Sequence, residues 1–259
     1  PGYTDPQLPI TAQRMVGCYP VVAESEKGQR FVRELVGAPG LDPWATVRAG
    51  YSCRGLFQGE TYVWGVWGNT AYKIDSAGSA TSLGSLSSSA GHVWIEANLT
   101  ETQVAFCDGQ TVYVWDGSTF AEVSDSDFPG ASAMTYQDGY LVVTKPNSGQ
   151  FWINDVENVF TGWDGTKYAN AEAYSDYAVA PFSFNRQLFL MGKKSTEVYY
   201  NSGDSDFSFT RYSSVFIDDG LAAAAAITKA DNSWFYLSTD RQIKRMSGYT
   251  PQIRSTRVI

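Results

Sequence analysis

Apolar and polar positions in this chain do not follow the 3.6-residue period of a helix. From about residue 50 they form short runs of β-branched and aromatic residues, broken by turns of Gly, Asp, Asn and Ser. The pattern predicts a first group of strands over Cys53–Gln58, Thr61–Trp67, Thr70–Asp75 and Ala80–Leu83. A second covers His92–Ala97, Gln103–Cys107, Thr111–Asp116 and Phe120–Val123. A looser third takes Ala131–Tyr136, Tyr140–Thr144, Gln150–Asn154 and a longer outer part through Trp163. The fourth takes Ala178–Phe184, Gln187–Met191, Thr196–Tyr200 and Ser208–Tyr212. A fifth takes Leu221–Thr228, Ser233–Ser238 and Gln242–Met246, with no fourth strand predicted. Turns such as Trp67-Gly68-Asn69 and Asp108-Gly109-Gln110 make each group an antiparallel meander.

The groups repeat. Thr61, Val63, Gly68, Thr70, Tyr72 and Asp75 recur without a gap as Thr102, Val104, Gly109, Thr111, Tyr113 and Asp116. The third-strand positions Tyr72, Tyr113, Trp152, Tyr199 and Ile243 lie 41, 39, 47 and 44 residues apart. Four strands per ~40–45 residues are the dimensions of propeller blades. First strands are rich in small residues, as at Ala131-Ser132-Ala133 and Ala178-Val179-Ala180, which suits convergence on an axis. The run Ala222–Ala226 has high helix propensity. A strand is the favoured reading there, because Gly220 precedes it and Lys229-Ala230-Asp231-Asn232 follows as a turn. The fold class is therefore all-β, a β-propeller with about five visible blades.

Residues 1–48 lie outside the repeat and read as an arm or leading strand, with a short strand at Phe31–Val36. Residues 49–259 form the body, expected to be incomplete at its C-terminus. The chain opens on Pro1 and stops in the strand-like Arg257-Val258-Ile259, so a longer parent protein is expected.

Composition narrows the function. Aromatics reach 15% and charged residues only 18%, a profile of sheets and turns. The net charge of −8 opposes tight, sequence-independent binding of nucleic acid, which needs cations to neutralise phosphates. An acidic wall would still let DNA slide past. Cys18, Cys53 and Cys107 are odd in number and outside any CxxC, so buried or semi-buried thiols in a reducing compartment are expected. No apolar run approaches the ~18 residues of a membrane-spanning helix.

Candidate chemistry is sparse. The single histidine, His92, has no Gly-x-Ser-x-Gly elbow beside it, and a structural, partly buried role is expected. Asp75, Asp116 and Asp155 recur at one place in successive groups, which favours turn acceptors over a paired-carboxylate site. Glu96, Glu157 and Glu172 are isolated. Asp125-Ser126-Asp127-Phe128-Pro129-Gly130 resembles a calcium loop but places Pro129 at a ligand position, and Tyr136 where the bidentate Glu belongs. Asp204-Ser205-Asp206 and Asp218-Asp219-Gly220 read as turns. Arg241, Lys244, Arg245, Arg254 and Arg257 make the C-terminal part basic, either as a solvated face or as a contact for an acidic partner or DNA. No catalytic residue, cofactor or metal is expected. The alternative is a carbohydrate-binding or glycoside-acting propeller, with Trp64, Trp67 or Trp94 exposed for sugar stacking.

Three stretches carry a family resemblance. They are Leu8-Pro9-Ile10-Thr11-Ala12-Gln13-Arg14-Met15-Val16-Gly17-Cys18-Tyr19-Pro20 with Ala38-Pro39-Gly40-Leu41, then Gly68–Gly78, then Gly192-Lys193-Lys194-Ser195-Thr196-Glu197-Val198-Tyr199-Tyr200-Asn201-Ser202-Gly203. Together they resemble the packaged-DNA stabilisation, or tail accessory (tail hub), proteins of short-tailed double-stranded DNA phages. Gly17 and Cys18 depart from that family's usual Asn and apolar residue. The resemblance implies a non-enzymatic virion protein assembled in the bacterial cytoplasm. It would form a homo-oligomeric ring, a hexamer, below the portal. It would seal the channel after DNA packaging, contact portal or head-to-tail adaptor proteins, and anchor a tailspike or tail needle. DNA would pass without sequence-specific binding.

Overall fold

A computed structural model describes residues 18–24, 31–40, 43–171 and 177–255. The chain divides into two compact units, one of residues 1–44 with 255–259 and one of Ala45–Arg254. In the first, strands β1 (Cys18–Glu24) and β2 (Phe31–Gly37) pair antiparallel as a hairpin, which matches the strand expected at Phe31–Val36.

The second unit is a β-propeller of five four-stranded antiparallel blades. Blade one is β3 (Cys53–Gln58), β4 (Val63–Trp67), β5 (Thr70–Ile74) and β6 (Ala80–Ser85). Blade two is β7 (Trp94–Ala97), β8 (Val104–Cys107), β9 (Val112–Trp115) and β10 (Phe120–Glu122). Blade three is β11 (Ala133–Gln137), β12 (Tyr140–Thr144), β13 (Gln150–Val156) and β14 (Val159–Asn170). Blade four is β15 (Ala178–Phe184), β16 (Gln187–Gly192), β17 (Thr196–Asn201) and β18 (Phe209–Ile217). Blade five is β19 (Ile227–Ala230), β20 (Ser233–Leu237), β21 (Ile243–Ser247) and β22 (Thr250–Ile253). Among the described residues there is no helix.

Burial explains why the strands differ in pattern. Second strands lie between two blades and bury both faces, so β8 is apolar throughout and β12 and β16 nearly so. Fourth strands lie outermost, and β6 and β10 are largely exposed. Small residues let the first strands approach one another, since Ala131, Ala133 and Ala180 are fully buried. Gly55 on β3 is a sharper case. A Cβ there would collide with the carbonyl oxygen of Val93, which leads into β7. Blades three, four and five return from first to second strand through two-residue turns with both φ positive. These are Asp138-Gly139, Asn185-Arg186 and Asp231-Asn232.

Large side chains then lock neighbouring blades. Trp234 of blade five is buried against Phe182 and Phe189 of blade four, at 5.3 and 5.0 Å between ring centroids. Tyr113, the repeated tyrosine of blade two, donates to Ser87 Oγ at 2.8 Å and stacks on Phe120.

Blade five departs from expectation twice. It has a complete fourth strand, β22, closed by the Gly248-Tyr249 turn. The alanine run is neither strand nor helix. Leu221 makes one bridge to Ser238, residues 222–226 turn away, and pairing resumes at Ile227. The run's two ends are tied to one residue, since the Ala222 N–H donates to the Leu237 carbonyl and the Leu237 N–H to that of Ala226.

Candidate functional site

Antiparallel blades sort their turns onto two rims. First-to-second and third-to-fourth strand turns lie on one, here the lower rim. Second-to-third turns and blade-to-blade connections lie on the other, the upper rim. The ten lower-rim turns hold nine carboxylates against one arginine, Arg186.

On the lower rim a cleft of about 550 Å³ opens between blades four and five. Phe184 and Trp234 line its apolar side, and Asn185, Gln187, Asn232 and Gln252 supply amides. The Gln187 amide donates to the Tyr249 hydroxyl at 2.6 Å, joining the two blades across the cleft. Arg245 is neutralised by Asp231 at 3.1 Å. Arg254 hydrogen-bonds Gln252 at 2.6 Å and has no carboxylate partner among the described residues.

On the upper rim a second cavity, about 650 Å³, lies where blades one and two meet. Arg54 is buried there, with every N–H satisfied by uncharged oxygen. Its Nε donates to the Gly91 carbonyl, Nη1 to those of Gly68 and Ser88, and Nη2 to Ser88 Oγ and the Ala90 carbonyl, all at 2.6–2.9 Å. The guanidinium thus pins the connection entering blade two. His92, expected to be partly buried, is instead exposed at the mouth, with one side edge-on to Trp94 at 4.7 Å. Burial first, and Arg54 second, lower its pKa and favour the neutral imidazole.

Two polar clusters bind inner parts of the ring. Asp219, at the entry to blade five, accepts from Tyr236, Ser238 and Lys244, the last at 3.0 Å. Lys244 also pairs with Asp240 at 2.8 Å. Burial and the Asp219 bond push the Tyr236 phenol well above its usual range. Gly220 is required beside it, because a Cβ would strike the backbone at Lys193. The second cluster is nearer the axis. Glu96 of β7 takes hydrogen bonds from the Thr135 side chain and the Tyr136 backbone of β11, with Lys229 of β19 close by. Burial outweighs these and raises the carboxyl to about 7.

The residues singled out by sequence fall as follows. Asp75 accepts from the N–H groups of Ala77 and Ser79, and Asp116 from Ser118 and Thr119, as turn acceptors should. Asp155 does not share that role. It lies within β13 and pairs with Lys167 at 3.2 Å, because the long β13–β14 hairpin turns later, at Glu157-Asn158. Glu96 and Glu157 sit in separate places, and Glu172 lies outside the described residues. Asp125 accepts from Asp127 N–H and Trp163 N–H, and Asp204 from Asp206 N–H, all turn or packing roles. Among the described residues no cluster of His, Cys, Asp and Glu has metal-binding geometry. Cys107 is buried, but Cys53 is exposed, because it opens β3 at the rim of the upper cavity. The basic C-terminal residues do not form one face. Lys244 turns inward, Arg245 and Arg254 reach the lower cleft, and Arg257 lies outside the described residues. Trp64 is buried, and Trp67 and Trp94 are packed against neighbours, so none is an open stacking platform. The sequence pattern did not mark Arg54 and read Asp219 only as a turn residue, whereas it centres a buried cluster; their partners lie 14–37 and 17–25 residues away.

With this architecture in place, comparison with known proteins is informative. A family model described as bacteriophage P22 Gp10, β-propeller, matches residues 10–249. The chain belongs to that family. The match spans the first four blades and the first three strands of blade five, stopping just before β22, and the family's described β-propeller agrees with the fold seen here. No individually curated protein matches the sequence. Among solved structures, a catalytically inactive virginiamycin B lyase from Staphylococcus aureus with quinupristin aligns at TM-score 0.57 and 14% identity. It covers 82% of this chain and 73% of its own. BamB from Moraxella catarrhalis aligns at 0.54 and 11%, over 79% of this chain and 61% of its own. The computationally designed Ika8 protein aligns at 0.52 and 14%, over 81% and 63%. At such identities the likeness is one of fold. The chain spans about three fifths of the length of the Ika8 and BamB chains. No helix among the described residues is long and apolar enough to cross a membrane.

Proposed function

We propose that this chain is a structural tail component of a short-tailed double-stranded DNA phage, a subunit of a ring at the portal vertex. In this reading the ring, a hexamer, seals the portal channel after packaging. It contacts portal or adaptor proteins on one side and holds a tailspike or needle on the other. Residues 1–48 serve as an arm leading into the propeller. Membership of the P22 Gp10 family across residues 10–249 is the observation that carries the proposal.

The physical properties of the chain support it. Interlocked blades make a stiff disc, and stiff discs tile into closed rings. The net charge of −8 and a rim holding nine carboxylates would repel the DNA backbone, which suits a conduit that must not retain its cargo. Cross-linking mass spectrometry of assembled virions tests the reading. Cross-links from this chain to portal or tail proteins are expected. A chain absent from virions, or cross-linked only to coat protein away from the tail vertex, would overturn it.

A further inference from the structure

The cleft between blades four and five has an unusual charge for its position. Its rim is acidic, yet the cleft gathers cations. Three arginines stand on this side of the disc. Arg186 pairs with Asp138 at 3.5 Å and Arg245 with Asp231 at 3.1 Å. Arg254 is exposed, lines the cleft and, among the described residues, its guanidinium hydrogen-bonds the Gln252 amide and no carboxylate. It is a guanidinium without a counter-charge among the described residues, held at the edge of a concave space.

The rest of the lining is suited to hydroxyl groups. Asn185 and Asn232 occupy adjacent two-residue turns with positive φ, so two equivalent turns from neighbouring blades each present an amide to the same cavity. Gln187 adds a third amide, fixed by its bond to the Tyr249 hydroxyl. Amides both donate and accept, which matches the vicinal hydroxyls of a sugar ring. Tyr249 is 39% exposed and lines the cavity, so its ring is available for stacking. A volume of about 550 Å³ lies within the range of small-ligand sites. It leaves room for one or two sugar residues.

We propose that this cleft binds an acidic saccharide. Tyr249 stacks on the ring, Asn185, Gln187 and Asn232 hydrogen-bond its hydroxyls, and Arg254 receives its carboxylate. Arg245 is already neutralised by Asp231 and contributes shape. The proposal goes beyond the structural role above and does not depend on ring formation.

The test uses the whole chain and three probes followed by saturation-transfer NMR and calorimetry. They are methyl glucuronoside, methyl glucoside and an acetylated, amidated Asp-Asp dipeptide. Saturable binding of the glucuronoside is expected, with the neutral glucoside at least tenfold weaker, the discrimination due to one charge-assisted pair. Arg254→Gln should bring the glucuronoside down to the glucoside's affinity. Tyr249→Ala should weaken both sugars. Arg186→Gln, which removes a paired arginine on the same rim, should change neither. Variant melting temperatures within a few degrees of the parent keep the comparison sound. Three results would overturn the proposal. They are no saturable glucuronoside binding, equal binding by the Arg254→Gln variant, or binding of the dipeptide but not the sugar. The last would make the cleft a contact for an acidic protein segment.

Discussion

Glu96 makes the stability of this propeller depend on pH in a direction opposite to most carboxylates. Burial raises its carboxyl from 4.5 to about 7, despite the bonds from Thr135 and Tyr136 and the nearby Lys229. A carboxyl raised in the folded state carries no penalty below its unfolded value. The penalty grows as pH rises from there and is complete above the folded value. The 2.5-unit gap corresponds to about 3.4 kcal/mol at most, since one unit is about 1.4 kcal/mol. Between pH 5 and pH 8 the change is about 2.5 kcal/mol, and Glu96 keeps partial contact with solvent, which reduces it to about 1.5 kcal/mol. Glu96→Gln keeps the shape and removes the titration. Urea unfolding of both proteins at pH 5 and pH 8 isolates the effect, because every other group cancels in the difference. The variant should gain about 1.5 kcal/mol relative to the parent on going from pH 5 to pH 8. Lys229→Met should steepen the parent's loss, since the ammonium holds the carboxyl down. Parallel stability profiles for Glu96→Gln and the parent would refute the reasoning.

Gly55→Ala should cost about 3 kcal/mol or prevent folding, because its Cβ meets the rigid Val93 carbonyl; thermal melting reads this, and a shift of under 2 °C would be inconsistent with it. Asp219→Ala removes the acceptor of the Tyr236 and Ser238 hydroxyls and leaves Lys244 with Asp240 and the Ser238 oxygen. A loss of about 3 kcal/mol in urea unfolding is expected, and Lys244→Met should cost less because Asp219 keeps its other donors. Iodoacetamide should modify exposed Cys53 in the native protein and spare Cys107, whose thiol burial pushes up to about 12; peptide mapping showing equal labelling of the two would contradict this.

Much of the propeller is legible in the sequence. The echo of Thr61–Asp75 in Thr102–Asp116 set the blade length, and local chemistry placed most strands within a residue or two. Turn residues act at short range, so Asp75 and Asp116 could be read as hairpin acceptors from spacing alone. Where the local signal was ambiguous, the reading failed. Ala222–Ala226 has no side chain large enough to declare a packing partner. Its path was settled by Leu221 and Leu237 pairing around it. Thr250–Ile253 holds a proline and a charged neighbour, and only its pairing with β21 makes it a strand.

The sequence by itself determined the element type, the repeat and hence the radial architecture, because strand propensity and turn chemistry are properties of a few adjacent residues. The tertiary structure alone decided the electrostatics. Whether an arginine is buried among carbonyls like Arg54, paired like Arg245 or left open like Arg254 depends on which blades meet. Those encounters join residues that the chain keeps apart. A side chain's charge is written in the sequence, but its partner and its solvent are supplied only by the fold.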